Sequence, residues 1–148
     1  MFDIDTPVAN LASQLAEVLR LYFSEEQDVK LTHIMVDQGD TTRHTAIIET
    51  QDGYADHTCL AAKTADALED RRRMQRAIKN AVYNALVELT GRKQPWGSLT
   101  GVRPAKLYID TMQNGLDAKQ EFAHVYGVSQ PKIQLCDEIY TTQQSVIG

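Results

Sequence analysis

Apolar residues recur at Val8, Leu11, Leu15, Val18, Leu19 and Tyr22, a spacing that lays one stripe along a helix. Thr6 and Pro7 suit the start of that helix: the hydroxyl can accept a backbone N–H, and proline has no N–H to leave unpaired. The pattern predicts a first helix from near Thr6-Pro7 to about Ser24-Glu25-Glu26. Shorter, β-branched runs follow. Residues 31–36, 45–50 and about 54–60 read as three strands, separated by Gln38-Gly39-Asp40 and by a tight turn at Asp52-Gly53. Helical spacing then returns over about 64–90, with Met74, Ile78, Ala81, Val82, Ala85 and Leu89 on its apolar stripe. Thr64 is placed to cap that helix, Asp66, Glu69 and Asp70 favour its N-terminal dipole, and Gly91 closes it.

Beyond residue 93 only helices are expected. One starts near Pro104 and stops at Asn114-Gly115, a second runs from Asp117 to Gly127, and a third from Ser129 to about Val146. The fold class this predicts is α+β. An α-β-β-β-α unit with a three-stranded antiparallel sheet occupies 1–92, a junction 93–103, and a three-helix extension 104–148.

Composition narrows the setting. The chain has 148 residues, enough for one ordinary domain or two small ones, and its 43% hydrophobic content can build a core. No apolar run approaches the ~20 residues that cross a bilayer, so no membrane segment is expected. The acidic start Met1-Phe2-Asp3-Ile4-Asp5 lacks the basic region of a signal peptide. Cys59 and Cys136 are far apart, which points to free thiols in a reducing cytoplasm. The net charge of −5 opposes a polyanion-binding role for the chain as a whole.

Four sets of residues are candidates for chemistry. His33, His44 and His57 fall one on each strand, but their parity does not bring three imidazoles together, and edge or surface positions account for them without a metal. Cys59 and Cys136 have no second ligand at short spacing and read as small buried hydrophobes. Arg71, Arg72, Arg73, Arg76 and Lys79 form a basic helix surface able to meet phosphates, and the α-β-β-β-α order resembles the double-stranded-RNA-binding domain. The helix start, Thr64-Ala65-Asp66-Ala67-Leu68-Glu69-Asp70, lacks that family's lysines, and Glu69 and Asp70 offer the arginines partners one turn away. Nucleic acid is therefore a disfavoured partner. A dimerisation or scaffold domain is the blander alternative. The fourth set surrounds the only tryptophan. Trp96, Thr100, Arg103 and Lys106 would supply an aromatic anchor, a helix cap and two cations at a helix mouth, suited to interdomain docking or to holding an anion. A stiff linker with Trp96 plugging the junction explains the same residues without a ligand.

Lys79, Tyr83, Leu86 and Thr90-Gly91, followed by Pro95-Trp96-Gly97-Ser98-Leu99-Thr100-Gly101-Val102-Arg103-Pro104-Ala105-Lys106-Leu107, carry a resemblance. The string is similar to the N-terminal part of HemZ-type proteins, the oxygen-independent coproporphyrinogen III oxidase-like (coproporphyrinogen dehydrogenase) radical-SAM proteins. The resemblance extends to about Tyr140 and is looser before Lys63. It implies a downstream radical-SAM barrel in the same chain, holding a [4Fe-4S] cluster through Cys-x3-Cys-x2-Cys and using S-adenosylmethionine on a porphyrinogen-like substrate in heme biosynthesis. The chain has no such motif, so the resemblance implies an N-terminal accessory piece that ends before the barrel. No catalytic residue and no cofactor are carried over to it.

Overall fold

Phe2-Asp3-Ile4-Asp5 alternates apolar and acidic residues with a period of two, the repeat of a half-buried strand. The computed structural model, which describes residues 1–99 and 103–147, makes it one: β1, Phe2–Asp5, pairs in parallel with β2, Val29–Asp37. The antiparallel strands β3, Thr41–Thr50, and β4, Gly53–Ala62, complete a four-stranded mixed sheet of order β1-β2-β3-β4. This corrects the expected fold class. The sheet has four strands and one parallel pair, not three antiparallel strands, and the first unit runs β-α-β-β-β-α rather than α-β-β-β-α.

The crossover between the parallel strands contains α1, Ala12–Arg20, shorter than the periodicity predicts. Thr6 does not cap it. Its hydroxyl oxygen accepts from the Val8 N–H at 3.2 Å and is hydrogen-bonded to His33 Nδ1 at 2.8 Å. With that oxygen engaged, the chain takes a bend in which Asn10 has φ +64°, and the helix starts only after Leu11. Thr64 is diverted in the same way. Its backbone N–H and its hydroxyl both donate to Asp70 Oδ1, at 2.6 and 2.7 Å. Asp66 therefore caps α2, Ala67–Thr90, accepting from the Leu68 N–H at 2.9 Å. Gly91, at φ +70°, closes the helix with its N–H on Val87 O, a left-handed position that costs glycine little.

The core of this unit lies between α1, α2 and one face of the sheet. Leu15, Leu19, Leu31, Ile48, Ile78, Val82 and Leu86 are fully buried there, and burial of each such side chain contributes about 1.5–3 kcal/mol. Tyr22 and Arg92 clasp each other across the helix ends. The tyrosine hydroxyl donates to Arg92 O at 3.0 Å, and the guanidinium donates to Tyr22 O at 2.6 Å while lying over the ring.

Met1–Arg92 is one compact unit, and Lys93–Gly148 is a second with its own core. Its helices are α3, Pro104–Gln113, α4, Ala118–His124, and α5, Gln130–Ile147. Tyr108, Phe122, Leu99, Val128, Ile133 and Cys136 form its buried centre, with Tyr108 edge-on to Phe122. The Tyr108 hydroxyl donates to Asp137 Oδ1 at 2.8 Å, and burial with this carboxylate pushes the phenol far above its usual range. Among the described residues, no helix is long and apolar enough to cross a membrane.

Candidate functional site

The residues around Trp96 belong to the second unit and are held by its own loop 126–129. The Ser98 N–H donates to Tyr126 O at 2.9 Å, and the Ser129 N–H donates to Pro95 O at 2.8 Å. Between these bonds the backbone passes so close to Tyr126 that a Cβ on Gly97 would lie 1.9 Å from Tyr126 O. Gly97 also has φ +58°. A glycine is required there on both counts. Trp96 is half-buried against the unit's core, with Lys132 Nζ 5.4 Å from its ring centroid, within range of a cation–π attraction.

The structure describes three of the four docking candidates. Trp96 is engaged by its own unit. Thr100, like Gly101, lies outside the described residues. Arg103 is the N-cap residue of α3, with Pro104 in the first turn, and contributes no side-chain cap. Arg103 and Lys106 are exposed, and no ion pair among the described residues engages either. Two exposed cations therefore stand at this end of α3.

The histidines sit differently from the sequence-based expectation. The register His33–Ala46–His57 across β2, β3 and β4 puts His33 and His57 on the helix-covered face, together with His44 and its neighbour Cys59. Only two of them meet. His33 Nε2 lies 2.9 Å from His44 Nδ1, and His44 Nε2 lies 2.7 Å from Thr42 Oγ1. With Thr6 on His33 Nδ1, this makes a buried chain Thr6–His33–His44–Thr42. When both rings are neutral, a single ring N–H occupies the His33–His44 contact, so their tautomers change together. A second added proton would set N–H against N–H. Burial, and then the neighbouring His44, pull the His33 pKa down to about 4, and burial lowers His44 as well.

His57 is drawn out of this cluster by Glu88, 2.8 Å from its Nε2. Among the described residues no three His, Cys, Asp or Glu side chains are grouped to hold a metal. The cluster implied by the family resemblance would need three thiolates. Cys59 and Cys136 are free, lie in separate units, and both have their thiol pKa raised by burial, which disfavours the thiolate. These residues do not fit an iron–sulfur cluster.

Three arginines of the basic α2 surface share one carboxylate. Glu69 lies 3.2 Å from Arg73, 3.5 Å from Arg76 and 3.9 Å from Arg72, while Arg71 donates to Ala9 O. Lys79 is half-buried, and desolvation lowers its pKa.

The buried His33–His44 contact escaped the reading by parity, although its signal was present. The turn from Thr50 to Gly53 sets the β3–β4 register, the turn from Asp37 to Thr42 sets the β2–β3 register, and together they align the three histidine-bearing strands.

Comparison with known proteins agrees with the resemblance. No protein-family model matches the sequence, and no solved structure matches it. The chain is 26% identical over 147 residues to the oxygen-independent coproporphyrinogen-III oxidase-like protein HemZ of Bacillus subtilis (strain 168). This similarity covers 95% of the chain but only 29% of that relative's length, so nearly the whole chain is similar to a part, under a third, of a HemZ-type protein.

Proposed function

We propose that this chain is the N-terminal accessory region of a coproporphyrinogen-III-oxidase-like radical-SAM oxidoreductase, a cytoplasmic protein of heme biosynthesis. In this reading it docks and shapes, and it does no chemistry itself. The observation that carries the reading is the match itself, with nearly all of this chain aligned to less than a third of the relative. The cysteines support it, because neither the number nor the setting of Cys59 and Cys136 suits a cluster. The [4Fe-4S] cluster, S-adenosylmethionine and a porphyrinogen-like substrate then belong to a downstream radical-SAM domain. Arg103 and Lys106 are suited to meet that domain, or a carboxylate, because both are exposed and no ion pair among the described residues engages them. Trp96 serves from behind by holding the segment that leads into α3.

The test uses full-length protein purified without oxygen. Arg103→Ala and Lys106→Ala together should lower iron content per chain or slow reductive cleavage of S-adenosylmethionine, while the fold of this region stays intact by circular dichroism. Unchanged iron, stability and cleavage would refute the docking role. Pairing of the α2 arginines with Glu69 weighs against the alternative reading as an RNA-binding module.

A further inference from the structure

The β1 edge of the sheet offers a second surface, on the first unit. β1 is the terminal strand of the sheet. The Val29 N–H donates to Met1 O, so the strand's alternation turns the backbone groups of Met1, Asp3 and Asp5 towards β2 and those of Phe2 and Ile4 outwards. An outward row of N–H and C=O groups is a template for another strand. Beside it runs a groove of about 470 Å³, with Phe2 and Ile4 on one wall and Ala12, Ser13 and Ala16 of α1 on the other. The short α1 side chains leave room for the side chains of an added strand.

We propose that this edge takes an extended peptide segment as a fifth strand, one that alternates small apolar and basic residues. Alternate side chains of such a segment point to opposite faces. Those on the groove side meet Phe2, Ile4 and Ala16. Those on the other side meet Asp3 and Asp5, which are exposed and which no ion pair among the described residues engages. Glu25, Glu26 and Asp28 add negative charge nearby, against which stand Lys30, an Arg20 paired to Glu25 and the Met1 ammonium 3.3 Å from Asp28. The same charges disfavour a second copy of this chain as the occupant. Edge-to-edge pairing of two β1 strands would bring Asp3 and Asp5 of both copies together, and like charges across a strand pair are destabilising.

The probe is an acetylated, amidated (Lys-Val)4 peptide, titrated at low salt into the isotopically labelled 148-residue chain. Chemical shifts should move at Phe2–Asp5 and along α1, amide exchange at Phe2 and Ile4 should slow, and a (Glu-Val)4 peptide should bind at least tenfold more weakly. Ala16→Phe, which fills the groove, should weaken (Lys-Val)4 at least tenfold. Because that variant could disturb packing, Asp3→Lys with Asp5→Lys provides an exposed-site control and should reverse the preference between the two peptides. Shifts confined to the open sheet face or to α2, or no binding at millimolar peptide, would overturn the proposal. So would concentration-dependent dimerisation of the free chain mapping to Phe2–Asp5.

Discussion

Gly97→Ala places one methyl group where the second unit has no space for it. The added Cβ would stand 1.9 Å from Tyr126 O, 2.7 Å from Gly127 C and 2.8 Å from Gly127 O, all backbone atoms that cannot rotate away. Two costs add. Holding a non-glycine residue at φ +58° costs about 1–2 kcal/mol. Relieving the clash requires the 95–99 segment to part from loop 126–129, which loses the Ser98–Tyr126 and Ser129–Pro95 hydrogen bonds at about 0.5–1.5 kcal/mol each. The total is about 2–5 kcal/mol, a large fraction of what a unit this small can have. Gly115→Ala is the internal control: its φ is +76°, but nothing lies within 4 Å of the new Cβ, so only the backbone cost applies. Trp96 is the chain's only tryptophan and sits next to Gly97, so its fluorescence in a urea titration reports on the second unit. Gly97→Ala should lower the unfolding free energy at least about 1 kcal/mol more than Gly115→Ala, the least that two lost hydrogen bonds would cost. Equal losses in the two variants would refute the close approach of Gly97 to Tyr126.

Two further predictions concern buried polar groups. The folded protein holds His33, at about 4, and His44 below the ordinary histidine value, so between that value and about 4 the unfolded chain binds more protons. Stability should be full above about pH 6.5 and fall as the pH drops towards 4, read as a declining urea midpoint, and His33→Gln with His44→Gln should flatten that decline. Tyr108→Phe removes the hydroxyl that donates to Asp137 and should cost about 1.5 kcal/mol; a cost near zero would mean that Lys119, 3.5 Å from the other carboxylate oxygen, already satisfies Asp137.

Helical spacing and end signals located several helix boundaries among the described residues, because they depend on groups within one turn. Gly91 closes α2, Asn114 follows α3, and Asp117 caps α4. The failures share a cause. Thr6 and Thr64 carry good capping chemistry, yet each hydroxyl is taken by a side chain that local spacing does not reveal: His33, 27 residues away, and Asp70. The missing strand had a local signal, the alternation in Phe2-Asp3-Ile4-Asp5, but only four residues of it. What stabilises so short a strand is the parallel partner Val29–Asp37, a non-local pairing.

The candidate site divides along the same line. Trp96 stood out as the chain's only tryptophan, an aromatic anchor beside a helix mouth. What holds its segment is the backbone of residues 126–129, which sequence spacing could not name. The histidines were equally visible as residue types, but a one-residue shift in register would have turned each to the opposite face. Their meaning therefore depended on two turns rather than on the histidines themselves. Once those turns are fixed, His33 and His44 can do little except bond to each other and to the two threonines, and His57 can reach Glu88 instead. A metal at His33 and His44 would have to break the contacts to Thr6, Thr42 or the partner ring and find its remaining ligands elsewhere. The buried histidine chain is accordingly a polar brace across β2 and β3, and its sensitivity to protons follows from burying two imidazoles in one line.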